Sequence, residues 1–372
     1  MRIGFDAKRA FTNQSGLGNY SRTLISQLCM LFPENDYFLF TSEKNSIAGN
    51  FPPINTNVIN PDKFIHKQFP SIWRSGYLGK FIANQHIQVF HGLSNELPLD
   101  IKKNKAMSVV TIHDLIFLRY PKLYKRMDRV IYQSKFYRSC KLADAVVAIS
   151  EQTKADLIQY FDLNPEKIHV IYQSCNPNYY NKVDETIKTI IRNKYSLPRN
   201  YMLYVGTIEE RKNLLQLIKA KHENNISLAL VVAGRKTAYF KKVSEYIDRN
   251  RIKDILFLQN LDTEELPAIY QMAELFAYPS TFEGFGIPIL EALNSGIPVI
   301  TGKGGCMAET GGTDSIYVDP LKTDEIADAI VRILGNPDLK KNMIEGGYKH
   351  AMLFREDKTA NEMMKLYQKL IR

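Results

Sequence analysis

PSTFEGFGIPILEALNSGIPVIT, residues 279–301, reads as a turn, a short helix, a second turn and a strand. Pro288 suits the first turn of a helix, where its missing N–H costs nothing. Residues 289–294 continue that helix and Gly296 is placed to stop it. Just ahead, Gly284 and Gly286 leave backbone N–H groups without side-chain cover at a helix N-terminus. That arrangement suits an anionic oxygen, a diphosphate above all. Glu283 and Glu291 bracket the same point. An acid beside a phosphate is unfavourable unless it accepts hydrogen bonds from hydroxyls, which sugars and ribose supply. Taken singly, the glycines fit a tight turn and Glu291 a solvated helix; the whole string favours the ligand.

Outward from this unit, apolar strands alternate with helices. Residues 2–5, 37–40, 89–91, 108–113, 145–149 and 168–171 read as strands, with helices over 16–31, 124–143 and 150–161. The rhythm restarts with strands at 201–205, 228–233, 255–258, 275–278 and 299–301, and helices from about Asn213 and over 263–272. Such alternation implies parallel sheets with crossover helices, an α/β fold. With 372 residues, two domains are expected, each doubly wound and Rossmann-like. The polar stretch 176–198, bounded by Pro177 and Pro198, is the natural linker, which gives domains 1–180 and 181–355. Residues 357–371 form an amphipathic helix with Met363, Leu366, Tyr367 and Leu370 on one face. The segment 356–372 is therefore expected to cross back onto the first domain. Two such domains facing across a cleft would bind ligand between the carboxyl ends of their sheets.

Composition narrows the function. The chain is 45% hydrophobic and 24% charged, which argues against disorder, collagen or a coiled coil. Its net charge is +10, with a pI near 9.2, so an anionic partner is expected. The excess is uneven: residues 1–180 carry 22 Lys/Arg against 14 Asp/Glu, and residues 181–372 carry 27 against 25. Residues 119–141 alone hold eight cations and one acid, Asp128, interleaved with Tyr120, Tyr124, Tyr132, Phe136 and Tyr137. Cations and aromatic rings together suit an anionic membrane surface. Cys29, Cys140, Cys175 and Cys306 lack metal-site spacing and are expected as reduced thiols in a cytoplasmic protein. The N-terminus does not read as a signal peptide, and the apolar runs are strand-sized, so a membrane role would be peripheral. The Gly-x-Gly at Gly16 and Gly18 lacks the third glycine and the acid of a dinucleotide site. Charge alone suggests nucleic acid, but no zinc-finger or RRM signature accompanies it.

Several motifs, taken in order, resemble the retaining glycosyltransferases of family 4, with the GT-B fold. Glu283 to Glu291 resembles the family's Glu-x7-Glu motif. Asp6-Ala7-Lys8 with Ser15-Gly16-Leu17-Gly18-Asn19-Tyr20 resembles its N-terminal glycine loop, and Thr111-Ile112-His113-Asp114-Leu115 with Tyr120-Pro121 its HDL…P segment. Ala148-Ile149-Ser150-Glu151, Tyr204-Val205-Gly206-Thr207 through Arg211-Lys212-Asn213, Val232-Ala233-Gly234 and Ser295-Gly296-Ile297-Pro298 also fit. The resemblance implies a metal-independent hexosyltransferase that uses a nucleoside diphosphate sugar as substrate and no cofactor. Glu291 would hold the ribose hydroxyls and Glu283 the donor sugar hydroxyls. The backbone of Phe285, Gly286 and Ile287, with Gly284, would meet the phosphates. Arg211 and Lys212 would neutralise the departing diphosphate, an electrostatic role. His113 would lie at the reaction centre. Gly16, Gly18, Gly206 and Gly234 would allow close approach to the donor. His66, His86, His169, His222 and His350 are read as structural.

The resemblance also points to mannosyl-type members, hence GDP-mannose first, with UDP-sugars as the alternative. A polyprenyl-diphosphate-linked glycan is the expected acceptor, met at the inner face of the cytoplasmic membrane in surface polysaccharide synthesis. A nucleotide-sugar 2-epimerase of the same architecture is the rival reading. Two departures stand out: Thr207 follows Gly206 where some relatives carry arginine, and Tyr172-Gln173-Ser174-Cys175-Asn176 replaces an Asn-Gly turn. No Asp-x-Asp occurs in the chain.

Overall fold

The computed structural model describes residues 1–13, 16–43, 46, 51–61 and 68–372; Ser15 and His66 lie outside them. The chain divides into two units, residues 1–174 with 354–372, and residues 175–353.

In the first unit, β1 (Arg2–Asp6), β2 (Asp36–Phe40), β3 (Thr56–Ile59), β4 (Val89–Gly92), β5 (Met107–Ile112), β6 (Ala145–Ala148) and β7 (Ile168–Val170) form one sheet. Their order is β3-β2-β1-β4-β5-β6-β7, with every pair parallel. Strands β4 and β6 are wholly buried and β5 nearly so, which is why they read as continuous apolar runs. Helices α1 (Gly16–Leu31), α2 (Arg126–Leu142) and α3 (Glu151–Phe161) cover the sheet's connections. Ser150 caps α3, its Oγ accepting from the Thr153 N–H at 3.0 Å. The helix expected from residue 124 starts at Arg126, because Tyr124 and Lys125 have extended backbone after the turn Pro121–Leu123. Strand β5 ends at Ile112, which leaves His113 just past the carboxyl edge. The sequence gives no sign of β3, a half-exposed edge strand of sequence TNVI with two apolar residues.

The second unit carries β8 (Tyr201–Val205), β9 (Ala229–Ala233), β10 (Ile255–Leu258), β11 (Leu275–Tyr278), β12 (Val299–Gly302) and β13 (Ile316–Val318). Their order is β10-β9-β8-β11-β12-β13, again all parallel. The helices that bear on function are α4 (Leu214–Glu223) and α5 (Ile287–Asn294). Gly296 adopts φ +72° just after α5, the left-handed stop that glycine favours. Strand order reverses between β1 and β4 in one sheet and between β8 and β11 in the other. Those are the switch points at which α/β sheets bind ligands.

Residues 175–180, expected with the first domain, belong to the second unit. The turn Pro177–Tyr180 buries Tyr179, whose ring meets Tyr270 edge-on at 5.5 Å. Helix α6 (Glu356–Ile371) belongs to the first unit. Met363, Met364, Leu366 and Tyr367 are buried with Leu24, Ile25 and Leu28 of α1 and with Ile3 and Phe5 of β1. Each such side chain contributes roughly 1.5–3 kcal/mol on burial, so α6 is part of that core.

Candidate active site

The second unit's switch point gathers most of the residues singled out from sequence. Strand β8 ends at Gly206, whose N–H donates to the Ala233 carbonyl at 2.9 Å. A Cβ on Gly234 would lie 1.9 Å from the Gly206 carbonyl oxygen, so the ends of β8 and β9 meet only because Gly234 lacks one. Gly206 itself has φ +154° and lies against Lys212, whose Nζ would be 3.3 Å from a Cβ there. The chain then turns through Glu210–Lys212, and left-handed Asn213 (φ 62°) starts α4.

Glu283 is the focus. Its Oε1 accepts from the Tyr278 hydroxyl at 2.7 Å and the Ser280 hydroxyl at 2.9 Å. Arg211 Nη1 is 2.7 Å from the same oxygen, and Lys212 Nζ is 3.9 Å away. Burial alone would raise this carboxyl, but Lys212, Arg211 and the Tyr278 hydroxyl outweigh it and hold Glu283 at about 2. It is a permanent anion at neutral pH. Arg211 is more tightly engaged than its neighbour. Its Nη2 donates to Glu209 at 2.6 Å, and Nη1 also donates to the Phe282 carbonyl. Burial opposes its charge, yet Glu283, Tyr278 and Glu209 keep the guanidinium well above its ordinary value. Lys212 has the looser contact, with Nζ also 5.4 Å from the Tyr278 ring centroid.

Past Glu283, the loop is fixed from behind. The Cys306 thiol donates to the Glu283 carbonyl at 3.0 Å, and the Thr310 hydroxyl to the Phe285 carbonyl. Gly284, Phe285 and Gly286 are buried, and Gly286 caps α5 at φ +100° with Pro288 in the first turn. Ile287 begins the helix, so residues 284–287 bring main-chain N–H groups and the positive end of the helix dipole to one place. Glu291, one turn on, is half-buried. Its Oε2 accepts from the Tyr270 hydroxyl at 3.0 Å, and Tyr179 supplies a second hydroxyl. Burial nevertheless pushes Glu291 up to about 7. The two glutamates therefore differ in kind: one is a fixed anion, and the other is poised near neutrality.

In the first unit, His113 is buried beside Tyr20, the two rings edge-on at 4.9 Å. Its main-chain N–H donates to Asn95 Oδ1 at 2.8 Å. Its Nε2 lies 2.8 Å from the Leu93 carbonyl and its Nδ1 2.9 Å from Gln173 Nε2. Burial lowers its pKa to about 4, so it is a neutral imidazole. Gly16 and Gly18, in the first turn of α1, differ sharply. A Cβ on Gly18 would lie 1.8 Å from the Asn13 carbonyl oxygen, whereas one on Gly16 meets nothing within 4 Å. Gly18 thus makes room for its own chain.

Sequence reading missed the groups that hold these residues: Tyr278 and Ser280 on Glu283, Tyr270 and Tyr179 on Glu291, and Gln173 on His113. It also passed over His91, which is buried between the Thr111 hydroxyl at 2.8 Å and the Tyr367 hydroxyl at 2.6 Å. Thr111 in turn bonds the Tyr20 hydroxyl at 3.1 Å. On the basic segment, Met127, Val130, Ile131, Tyr132 and Tyr137 of α2 are exposed, together with Lys125, Arg126, Lys135, Arg138 and Lys141. No helix among the described residues is long and apolar enough to cross a membrane.

Comparison with known proteins follows the same division. Residues 15–179 match the family described as Glycosyltransferase Family 4, and residues 187–350 match Glycosyl transferases group 1. The chain is 27% identical over 289 residues to the O-antigen chain mannosyltransferase B of Escherichia coli, spanning 76% of this chain and 74% of that protein. Among solved structures, sucrose-phosphate synthase from Thermosynechococcus elongatus superposes with a TM-score of 0.81 at 20% identity, covering 100% of this chain and 99% of that one. Anabaena Alr3699/HepE in complex with UDP-glucose superposes with a TM-score of 0.77 at 16% identity, covering 99% and 100%.

Proposed function

The chain belongs to glycosyltransferase family 4, and from that premise we propose that it moves a hexose, mannose first, from a nucleoside diphosphate sugar to a glycan hydroxyl with retention at the anomeric carbon. The observation that carries this reading is the cluster of Glu283, Arg211 and Lys212 at the β8/β11 switch point, beside the N-terminus of α5. A diphosphate fits the backbone of residues 284–287 and the ammonium of Lys212. Glu291 takes the ribose hydroxyls, and Glu283 the hydroxyls of the donor sugar.

In the transfer, the bond from the anomeric carbon to the β-phosphate oxygen breaks and the acceptor oxygen attacks from the same face. The acceptor proton passes to the departing phosphate. Arg211 and Lys212 offset the charge that grows on the diphosphate, so the reaction needs no metal ion. His113, neutral at pH 7, accepts a hydrogen bond near the reacting carbon rather than carrying charge.

The resemblance to a mannosyltransferase of O-antigen synthesis favours GDP-mannose and a lipid-linked glycan acceptor. The likeness to a UDP-glucose-bound protein keeps UDP-sugars as the alternative. The exposed apolar and basic residues of α2 suit docking to an anionic cytoplasmic membrane face, where such an acceptor is presented. Thermal unfolding with GDP, UDP, dTDP and their sugars tests the donor: the right nucleotide at 100 times its Kd should add about 2.7 kcal/mol. No shift with any of them would refute the reading, and a mass-neutral change of the donor without acceptor would point to epimerase chemistry. Co-sedimentation should show binding to anionic but not neutral liposomes; equal, negligible binding to both would refute docking.

A further inference from the structure

His113 is held from several sides, by Leu93, Gln173 and Tyr20. A carbonyl only accepts, so the 2.8 Å contact with Leu93 requires Nε2 to carry the proton. Nδ1 is then a lone pair, and the Gln173 amide donates to it at 2.9 Å. Tyr20 packs edge-on with the ring, centroids 4.9 Å apart. Tyr20 is itself held by Thr111, Thr111 by His91 and His91 by Tyr367 of α6. The titratable groups facing His113 are thus Tyr20 from α1 and His91 from β4. Burial keeps both neutral, raising the Tyr20 phenol and lowering His91 to about 3.

Gln173 is buried, 60 residues from His113 in sequence, and one residue short of Ser174, where the chain leaves the first unit. The segment is anchored there: the Thr359 hydroxyl donates to the Tyr172 carbonyl at 3.0 Å, and Phe354 meets the Tyr172 ring at 5.2 Å. An amide donor on Nδ1 stabilises the neutral ring and opposes protonation at that atom. A carboxylate in its place would do the reverse.

We infer that Gln173 is a positioning residue for His113: it holds the imidazole neutral, with Nδ1 an acceptor, and so ties the histidine's hydrogen-bonding character to the segment at which the chain leaves the first unit. This rests on the reading that His113 lies at the reacting sugar. On that reading the Gln173 amide occupies the lone pair that a sugar hydroxyl would use, and the bound sugar takes its place.

The test is Gln173→Glu in the full chain, followed by 15N NMR of labelled histidine and by donor turnover across pH. The carboxylate should draw a second proton onto His113, giving an imidazolium signature at pH 7. Turnover at pH 7 should fall roughly tenfold or more, donor KM should rise because the sugar must displace the carboxylate, and both should recover as pH rises and the proton leaves. A merely structural defect would give a loss that pH does not reverse. Gln173→Leu removes the donor without adding charge and should move the Nδ1 resonance to that of an unbonded lone pair, which keeps the question answerable if Gln173→Glu does not fold. Wild-type histidine spectra in both variants would overturn the inference. An imidazolium with undiminished turnover would uphold the hold on His113 and overturn its place at the reacting sugar.

Discussion

Replacing Lys212 by alanine isolates the charge proposed to meet the leaving diphosphate. Arg211 cannot serve for this. Its guanidinium lies between Glu283 and Glu209 and also holds the Phe282 carbonyl, so Arg211→Ala takes the closest cation from the buried Glu283. Breaking such buried pairs costs about 3–5 kcal/mol, enough to confuse catalysis with folding. Lys212 is 3.9 Å from Glu283, which retains Arg211, Tyr278 and Ser280 after the change. The fold should survive with a small change in Tm. A charge-assisted contact contributes about 1.5–3 kcal/mol, and each 1.36 kcal/mol is tenfold in rate, so kcat/KM should fall about 10- to 150-fold. The assay is steady-state release of nucleoside diphosphate, with Lys212→Arg as the charge-retaining control. Unchanged kcat/KM in a folded Lys212→Ala protein would remove Lys212 from the site and refute the reasoning.

Two further outcomes are expected. Glu291 sits at about 7 in the folded protein against its ordinary 4.5. Between those values the folded state keeps a proton that the unfolded state has lost, so stability should fall as pH rises from 4.5 to 7. Glu291→Gln should remove that slope in urea unfolding; on the proposed ribose contact, nucleoside diphosphate affinity should rise more steeply from pH 6 to 8 in the wild type than in the variant. Gly18→Ala should destabilise by roughly 2 kcal/mol or more, because its Cβ meets backbone at 1.8 Å, while Gly16→Ala should be neutral or stabilise. Chemical denaturation checks both, and loss of donor affinity in folded Gly16→Ala would place Gly16 against the phosphates.

What was legible in the sequence was what is local along the chain. The run from Glu283 to Glu291 announces a capped helix start because glycine, proline and acid lie within one short segment. The Gly206 turn with Arg211 and Lys212 was legible for the same reason. The groups that tune these residues were not. Tyr270 reaches Glu291 from 21 positions away, Gln173 reaches His113 from 60, and Tyr367 reaches His91 from 276. None of these pairings has a spacing rule, because sheet order brings them together. Gly18 carries a further requirement that was not legible: a Cβ there would meet the Asn13 backbone. Strand β3 went unread because TNVI has only two apolar residues and none fully buried, and β13 is the three-residue edge strand IYV with one buried residue.

Isothermal titration of the full chain with GDP and UDP tests the central claim most directly, because it needs no knowledge of the acceptor. One nucleotide should bind one-to-one, and Glu291→Ala and Lys212→Ala should each weaken it by about tenfold or more, while Lys135→Ala on α2 leaves it unchanged. Failure of both nucleotides to bind, or binding indifferent to Glu291 and Lys212, would contradict a nucleotide-sugar site at the β8/β11 edge.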